Sequence, residues 1–228
     1  MERAIQSVKN QTYKEIEIIV VREDGNPAEN RNIGISKAKG EYVAFIDDDD
    51  EWLPDKLENQ LSLFDKTTSL VVCWVDDKRF GESYVVRYPK TIYLKQVLKM
   101  FNVAATSAYL FRKDRLQALG GFDVTFPSAQ EYELAIRTCD AFCYIKCYQE
   151  VLVIQHKSEN QMTRNWKKKK EGLKLLLKKH KTLYRQFGYR EYIKFRFKFF
   201  GLQCLYTLAF VLGDRIYKII IPLKKEVE

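Results

Sequence analysis

Five consecutive acidic side chains, Asp47-Asp48-Asp49-Asp50-Glu51, follow directly on a short apolar run, Tyr42-Val43-Ala44-Phe45-Ile46. The run is rich in β-branched and aromatic residues and reads as a buried strand. Trp52, Leu53 and Pro54 come next, and Pro54 suits the first turn of a new helix. Crowded carboxylates raise one another's pKa unless a cation relieves them. A hard divalent ion such as Mg²⁺ or Mn²⁺ is the natural relief. Mg²⁺ is usually held by one or two carboxylates, with water and substrate phosphates completing its shell. Open α/β sheets bind ligands at the carboxyl ends of their strands. The stretch therefore reads as a metal–phosphate site, against the plainer alternative of a solvated acidic turn.

The surrounding chain alternates helix and strand patterns. Residues 2–10 read as a helix. Residues 16–21, Ile-Glu-Ile-Ile-Val-Val, read as a buried parallel strand. They end in Arg22-Glu23-Asp24-Gly25-Asn26-Pro27, where Asp-Gly and Asn-Pro mark a turn. Residues 30–39 read as a helix with Gly40 as its C-cap. Further helices are expected over 54–64, 92–101 and 113–119. Strands are expected over 70–74, 83–86, 108–112 and 151–155. From Trp166, the residues Trp166, Leu173, Leu176, Leu177, His180, Leu183, Tyr184 and Phe187 share one helical face.

The chain has 228 residues, 46% of them hydrophobic, enough for one domain with a tail. Its five cysteines, with no secretory signal, suggest a reducing compartment. Cys139, Cys143 and Cys147 read as core packing rather than a metal cluster. Charge is uneven. Residues 1–155 hold 20 Lys+Arg against 24 Asp+Glu, whereas residues 156–228 hold 19 against 6. The basic surface thus belongs to the C-terminal third. Its most apolar piece, residues 199–213, is too short to span a bilayer. Lysines and aromatics together suit a segment lying in the plane of an anionic membrane surface. The alternative is a helix packed on the core or on a partner. Nucleic acid is not expected, because the aromatics sit on no recognisable binding module.

The stretch G-E-Y-V-A-F-I-D-D-D-D-E-W-L-P-D-K-L, residues 40–57, resembles the DXD segment of family 2 glycosyltransferases, which have the GT-A fold. A-I-Q-S-V-K-N-Q-T-Y-K-E-I-E-I-I-V-V, residues 4–21, resembles that family's first helix and second strand. N-R-N-I-G-I-S-K-A-K-G, residues 30–40, resembles its ARNxG helix, and G-G-F-D, residues 120–123, its GGFD turn. The family normally has a strand before the first helix, whereas this sequence opens inside that helix. Weakened nucleotide affinity and an open sheet edge are therefore expected.

The resemblance implies a Rossmann-like, mostly parallel sheet flanked by helices over residues 1–165, and a basic helical region over 166–228. It implies an inverting enzyme using a nucleotide-sugar, with UDP-sugar as the expected donor and a glycan or lipid-linked acceptor. Glu23 or Asp24 would contact the nucleotide base, and Arg31 the diphosphate. Asp47, Asp49 and Asp50 would supply the DXD-type site, Asp47 and Asp48 being turned to the donor. Asp49, Asp50 and His156 would hold Mn²⁺ or Mg²⁺. Glu131 falls where the family has its catalytic Asp, and Gln130 where it has the preceding Glu. Trp52 would line the sugar pocket or belong to the core. The expected location is cytoplasmic, peripheral on the inner face of the membrane. The alternative to an active enzyme is an inactive remnant of the fold serving as a binding or scaffold subunit.

Overall fold

Leu70-Val71-Val72-Cys73-Trp74-Val75 carries no charge over six residues. It becomes the centre of the sheet in the computed structural model, which describes residues 1–79, 82–100, 103–157 and 166–212. Leu70, Val71, Val72 and Cys73 are fully buried there. They open β3 (Leu70–Arg79), which lies parallel to β7 (Tyr144–Lys157). Five shorter strands complete the sheet: β1 (Tyr42–Ala44), β2 (Glu51–Trp52), β4 (Glu82–Val86), β5 (Thr91–Tyr93) and β6 (Leu110–Arg112). The order is β1-β6-β3-β7-β2, with β4 on β3 and β5 on β7.

Among the described residues only the β3–β7 pair is parallel, so the sheet is mixed rather than mostly parallel. The cause lies in residues 16–21, which belong to no strand. They pair with no strand of the sheet. Ile18 and Val20 are 42% and 53% exposed instead of buried. Side-chain contacts hold this segment. The Glu17 carboxylate accepts from the backbone N–H groups of Lys39 and Gly40 at 2.6 and 2.9 Å. Those two donors hold its carboxyl below the usual range.

Helices flank the sheet. α1 (Glu2–Lys9) opens the chain, and α2 (Pro27–Lys37) starts three residues earlier than expected. Asn26 and Glu29 form a capping box with Pro27 in the first turn, a start signal set before the family-like motif. The backbone turns extended at Ala38, so Ala38 rather than Gly40 is the C-cap. α3 (Lys56–Leu61), α4 (Leu94–Met100), α5 (Lys113–Ala118) and α6 (Gln130–Phe142) follow. The last strand is longer than the expected 151–155, because residues from Tyr144 onward pair with β5 and β3. Cys139 and Cys147 lie in the core. Burial pushes the Cys139 thiol up to about 12.

Lys56 is fully buried. Its amine sits 4.1 Å over the Trp52 ring and donates to Gln60 Oε1 at 2.6 Å. Burial lowers its pKa from 10.5 to about 8. The folded state therefore gives up this proton before the unfolded state does, and stability rises with pH between those values. Relative to Lys56→Met, the native chain should gain about 2 kcal/mol from pH 7.5 to 10, measured by urea unfolding. An unchanged difference between the two proteins would contradict this.

The chain divides into two compact units, Met1–Thr125 with Gln130–Lys157, and Phe126–Ala129 with Ser158–Glu228. In the second, α7 (Trp166–Lys179), α8 (Lys181–Gln186) and α9 (Tyr189–Leu212) pack together. Trp166, Leu173, Leu176, His180 and Tyr184 of the expected face are buried, with the helix interrupted at His180. Gly172 admits the segment 126–129, since a Cβ there would meet Ser128 O at 2.6 Å. Among the described residues, no helix is long and apolar enough to cross a membrane.

Candidate functional site

β1 pairs antiparallel with β6, Tyr42 opposite Arg112, and delivers the acidic loop past the turn of 3₁₀ helix at Thr106–Ala108. Ser107 in that turn is fully buried and organises the loop. Its Oγ accepts from Asp47 N at 3.0 Å and donates to Asp50 Oδ2 at 2.5 Å. Its carbonyl accepts from Trp52 Nε1 at 2.9 Å. Asp50 N closes the turn onto Asp47 O at 3.1 Å. Asp50 is 2% exposed, and burial raises its pKa to about 7. The charges of Asp47 and Asp49 add to the rise, while hydrogen bonds from Ser107 and Gln155 oppose it. Trp52 is 5% exposed and is a core residue under the loop.

Arg31 ties the loop to two other elements. Its guanidinium donates to Asp47 Oδ1 at 2.8 Å and to Gln130 Oε1 at 3.2 Å, and lies 5.4 Å over the Phe122 ring. Gln130 Nε2 donates to Asn26 Oδ1 at 3.0 Å. One chain of contacts thus joins the turn at Asn26, helix α2, the acidic loop and the first turn of α6. Glu131 is half-buried in that first turn. Ala129, just before it, has a left-handed backbone with φ 63°. Such strain in a residue with a Cβ is found where the surroundings fix a required geometry.

The Gly-Gly turn is built into this arrangement. Asn32 Oδ1 accepts from Phe122 N and Asn32 Nδ2 donates to Phe122 O, both at 2.8 Å. Gly121 has φ 71°, and a Cβ there would lie 2.5 Å from Asn32 Oδ1. From the other side, Arg137 donates to Leu119 O and Gly121 O at 2.6 and 2.7 Å. It also pairs with the fully buried Glu133 at 2.7 Å.

Glu23 and Asp24 are exposed on the turn after residues 16–21. Asp48 is exposed, and Asp49 is half-buried. His156 Nε2 lies 3.3 Å from Glu51 Oε2. Among the described residues, no three His, Cys, Asp or Glu side chains converge to hold an ion. The acidic loop is nevertheless a hard, oxygen-rich donor set, with Asp50 buried beside Asp47 and Asp49. That fits an ion bound by one or two carboxylates and finished by a substrate diphosphate, not an all-protein cage. Ser107, Asn26 and Arg3, which donates to Asp49 O, escaped the sequence reading. Only the Asn26 capping box carried a local signal.

A mixed sheet flanked by helices is the fold of the GT-A glycosyltransferases. The S. aureus TarS structure, residues 1–349 in complex with UDP-GlcNAc, superposes with a TM-score of 0.59 at 13% identity, over 77% of this chain and 61% of that one. The sequence model of Glycosyl transferase family 2 matches residues 21–130, just under half of the chain, and supports a family 2 glycosyltransferase. An uncharacterised glycosyltransferase of Haemophilus influenzae is 25% identical over 138 residues, covering 57% of this chain and 47% of that protein. The Escherichia coli UDP-Glc:alpha-D-GlcNAc-diphosphoundecaprenol beta-1,3-glucosyltransferase WfaP is 26% identical over 160 residues, covering 58% and 61%. The chain spans about half the length of the first of the curated relatives it matches.

Proposed function

We propose that this chain carries the catalytic site of an inverting, metal-assisted glycosyltransferase. It takes a sugar from a nucleotide-sugar, a UDP-sugar, and transfers it to a glycan or lipid-linked acceptor in cell-surface polysaccharide assembly. The observation that carries the reading is the Arg31 bridge, which joins Asp47 to Gln130 beside Glu131. The bridge links a phosphate-compatible cation to the acidic loop and to the residue that precedes the candidate base. A guanidinium fork matches diphosphate oxygens, so Arg31 and Asp47 bound the place of the leaving group.

Glu131 accepts the proton of the acceptor hydroxyl as that oxygen attacks the anomeric carbon from the face opposite the leaving diphosphate. This is one displacement, with inversion. Asp49 and Asp50, with His156, would hold a Mg²⁺ or Mn²⁺ ion, which would supply positive charge to offset that of the leaving diphosphate. Glu23 or Asp24 meets the nucleotide base, and Asp48 faces the donor. The lipid-linked acceptor in the name of the E. coli relative agrees with a chain that works at an anionic membrane surface, peripheral on its inner face.

Calorimetric titration with UDP tests the donor half. Binding should require Mn²⁺ and be lost in Asp49→Ala. Equal binding by both proteins, or binding indifferent to the metal, would count against the site.

A further inference from the structure

We infer that the solvent face of α9 is a docking surface for an anionic lipid bilayer. The helix is apolar on two opposite sides. One side is spent within its own unit. Tyr192, Phe195 and Phe199 are buried, the Tyr184 ring lies 5.0 and 5.7 Å from the rings of Phe195 and Phe199, and Tyr206 lies 5.3 Å from Trp166. The other side bears Phe197, Cys204 and Leu208, spaced so that they return to one stripe, with Phe200 at its margin. Phe197 is 72% exposed, Phe200 66% and Leu208 52%. A helix apolar all round is normally enclosed, and large exposed apolar strips mark binding surfaces.

Charge selects the occupant. Arg190, Lys194, Arg196 and Lys198 flank the N-terminal half of the stripe, against the single acid Glu191. Glu191 accepts from Lys194 at 2.9 Å. A second copy of the chain would set this basic rim against an identical one. Anionic headgroups would meet it with opposite charge, while the phenylalanines and Leu208 enter the acyl boundary. Arginine and lysine stems can lie along the apolar strip with their charges at headgroup level. Because no described helix can cross a bilayer, α9 lies in its plane. The inference deepens the membrane-surface part of the proposed function and is independent of the transfer chemistry.

Co-flotation of the full chain with vesicles tests it, using phosphatidylcholine alone or mixed with phosphatidylglycerol. The native chain should float with the anionic vesicles only. The triple variant Phe197→Ser, Phe200→Ser, Leu208→Ser should lose at least tenfold in partitioning. These side chains are exposed, so far-ultraviolet circular dichroism and melting should be unchanged. Lys167→Glu with Lys168→Glu, on exposed positions of α7, should lose less than the triple variant. If the native chain ignores every vesicle, the membrane-surface reading falls together with this one. If it binds and the triple variant binds equally well, α9 is not the surface although the membrane reading stands. If the triple variant instead turns a dimer into a monomer in sedimentation, with vesicle binding unaltered, the face belongs to a second copy and the inference is overturned.

Discussion

Replacing Arg137 by alanine is expected to destabilise the first unit by about 3–5 kcal/mol, lowering its melting temperature by roughly 10 °C. The reason is what the change leaves behind. Glu133 is fully buried and meets the Arg137 guanidinium through both carboxylate oxygens, at 2.9, 2.9 and 2.7 Å. Removing the cation strands a carboxylate in the interior, which is far costlier than losing an exposed pair. The same substitution removes two donors from the carbonyls of Leu119 and Gly121, in the turn that Asn32 grips from the other side. Arg137→Lys keeps the charge but not the fork, so it should fall between. A loss under about 1 kcal/mol for the alanine variant, by urea or thermal unfolding, would show that the pair does not support the turn.

What the sequence could reveal depended on how local the physics is. The strand at Tyr42–Ala44, the acidic turn and the Gly-Gly turn are all specified by neighbours within a few residues, and all are where they were expected. Residues 16–21 have strand composition but no strand. Composition states that a segment can be extended, while pairing depends on another segment arriving beside it. Ser107 stands 57 residues from the Asp50 it binds, and no periodicity links a serine in a short turn to a distant carboxylate. Glu133 was legible in principle. A Glu four residues before an Arg on a helix favours a pair, yet charge near a helix start also reads as a solvated face. Burial decided between the two. His156 kept its place near the loop, but the acid it meets is Glu51, whose register partner on β7 is Ile154, two residues before His156.

In the proposed mechanism, transfer depends on Glu131 beside the Arg31 bridge. Glu131→Gln keeps size and hydrogen bonding but cannot take a proton, and general-base catalysis is typically worth about 10²–10⁴-fold in rate. The variant should therefore bind UDP with Mn²⁺ as the native chain does, and melt at the same temperature. Its release of UDP from UDP-sugar, with or without added acceptor, should fall by roughly that factor. Glu131→Asp retains the carboxylate but shifts its reach and should keep part of the activity. The most direct measurement is thus UDP release by the native chain and by Glu131→Gln, with Mn²⁺ and a panel of UDP-sugars. Metal-dependent release that collapses in the variant while UDP binding persists is the predicted result. No release by the native chain with any donor, or equal release by both proteins, would contradict it.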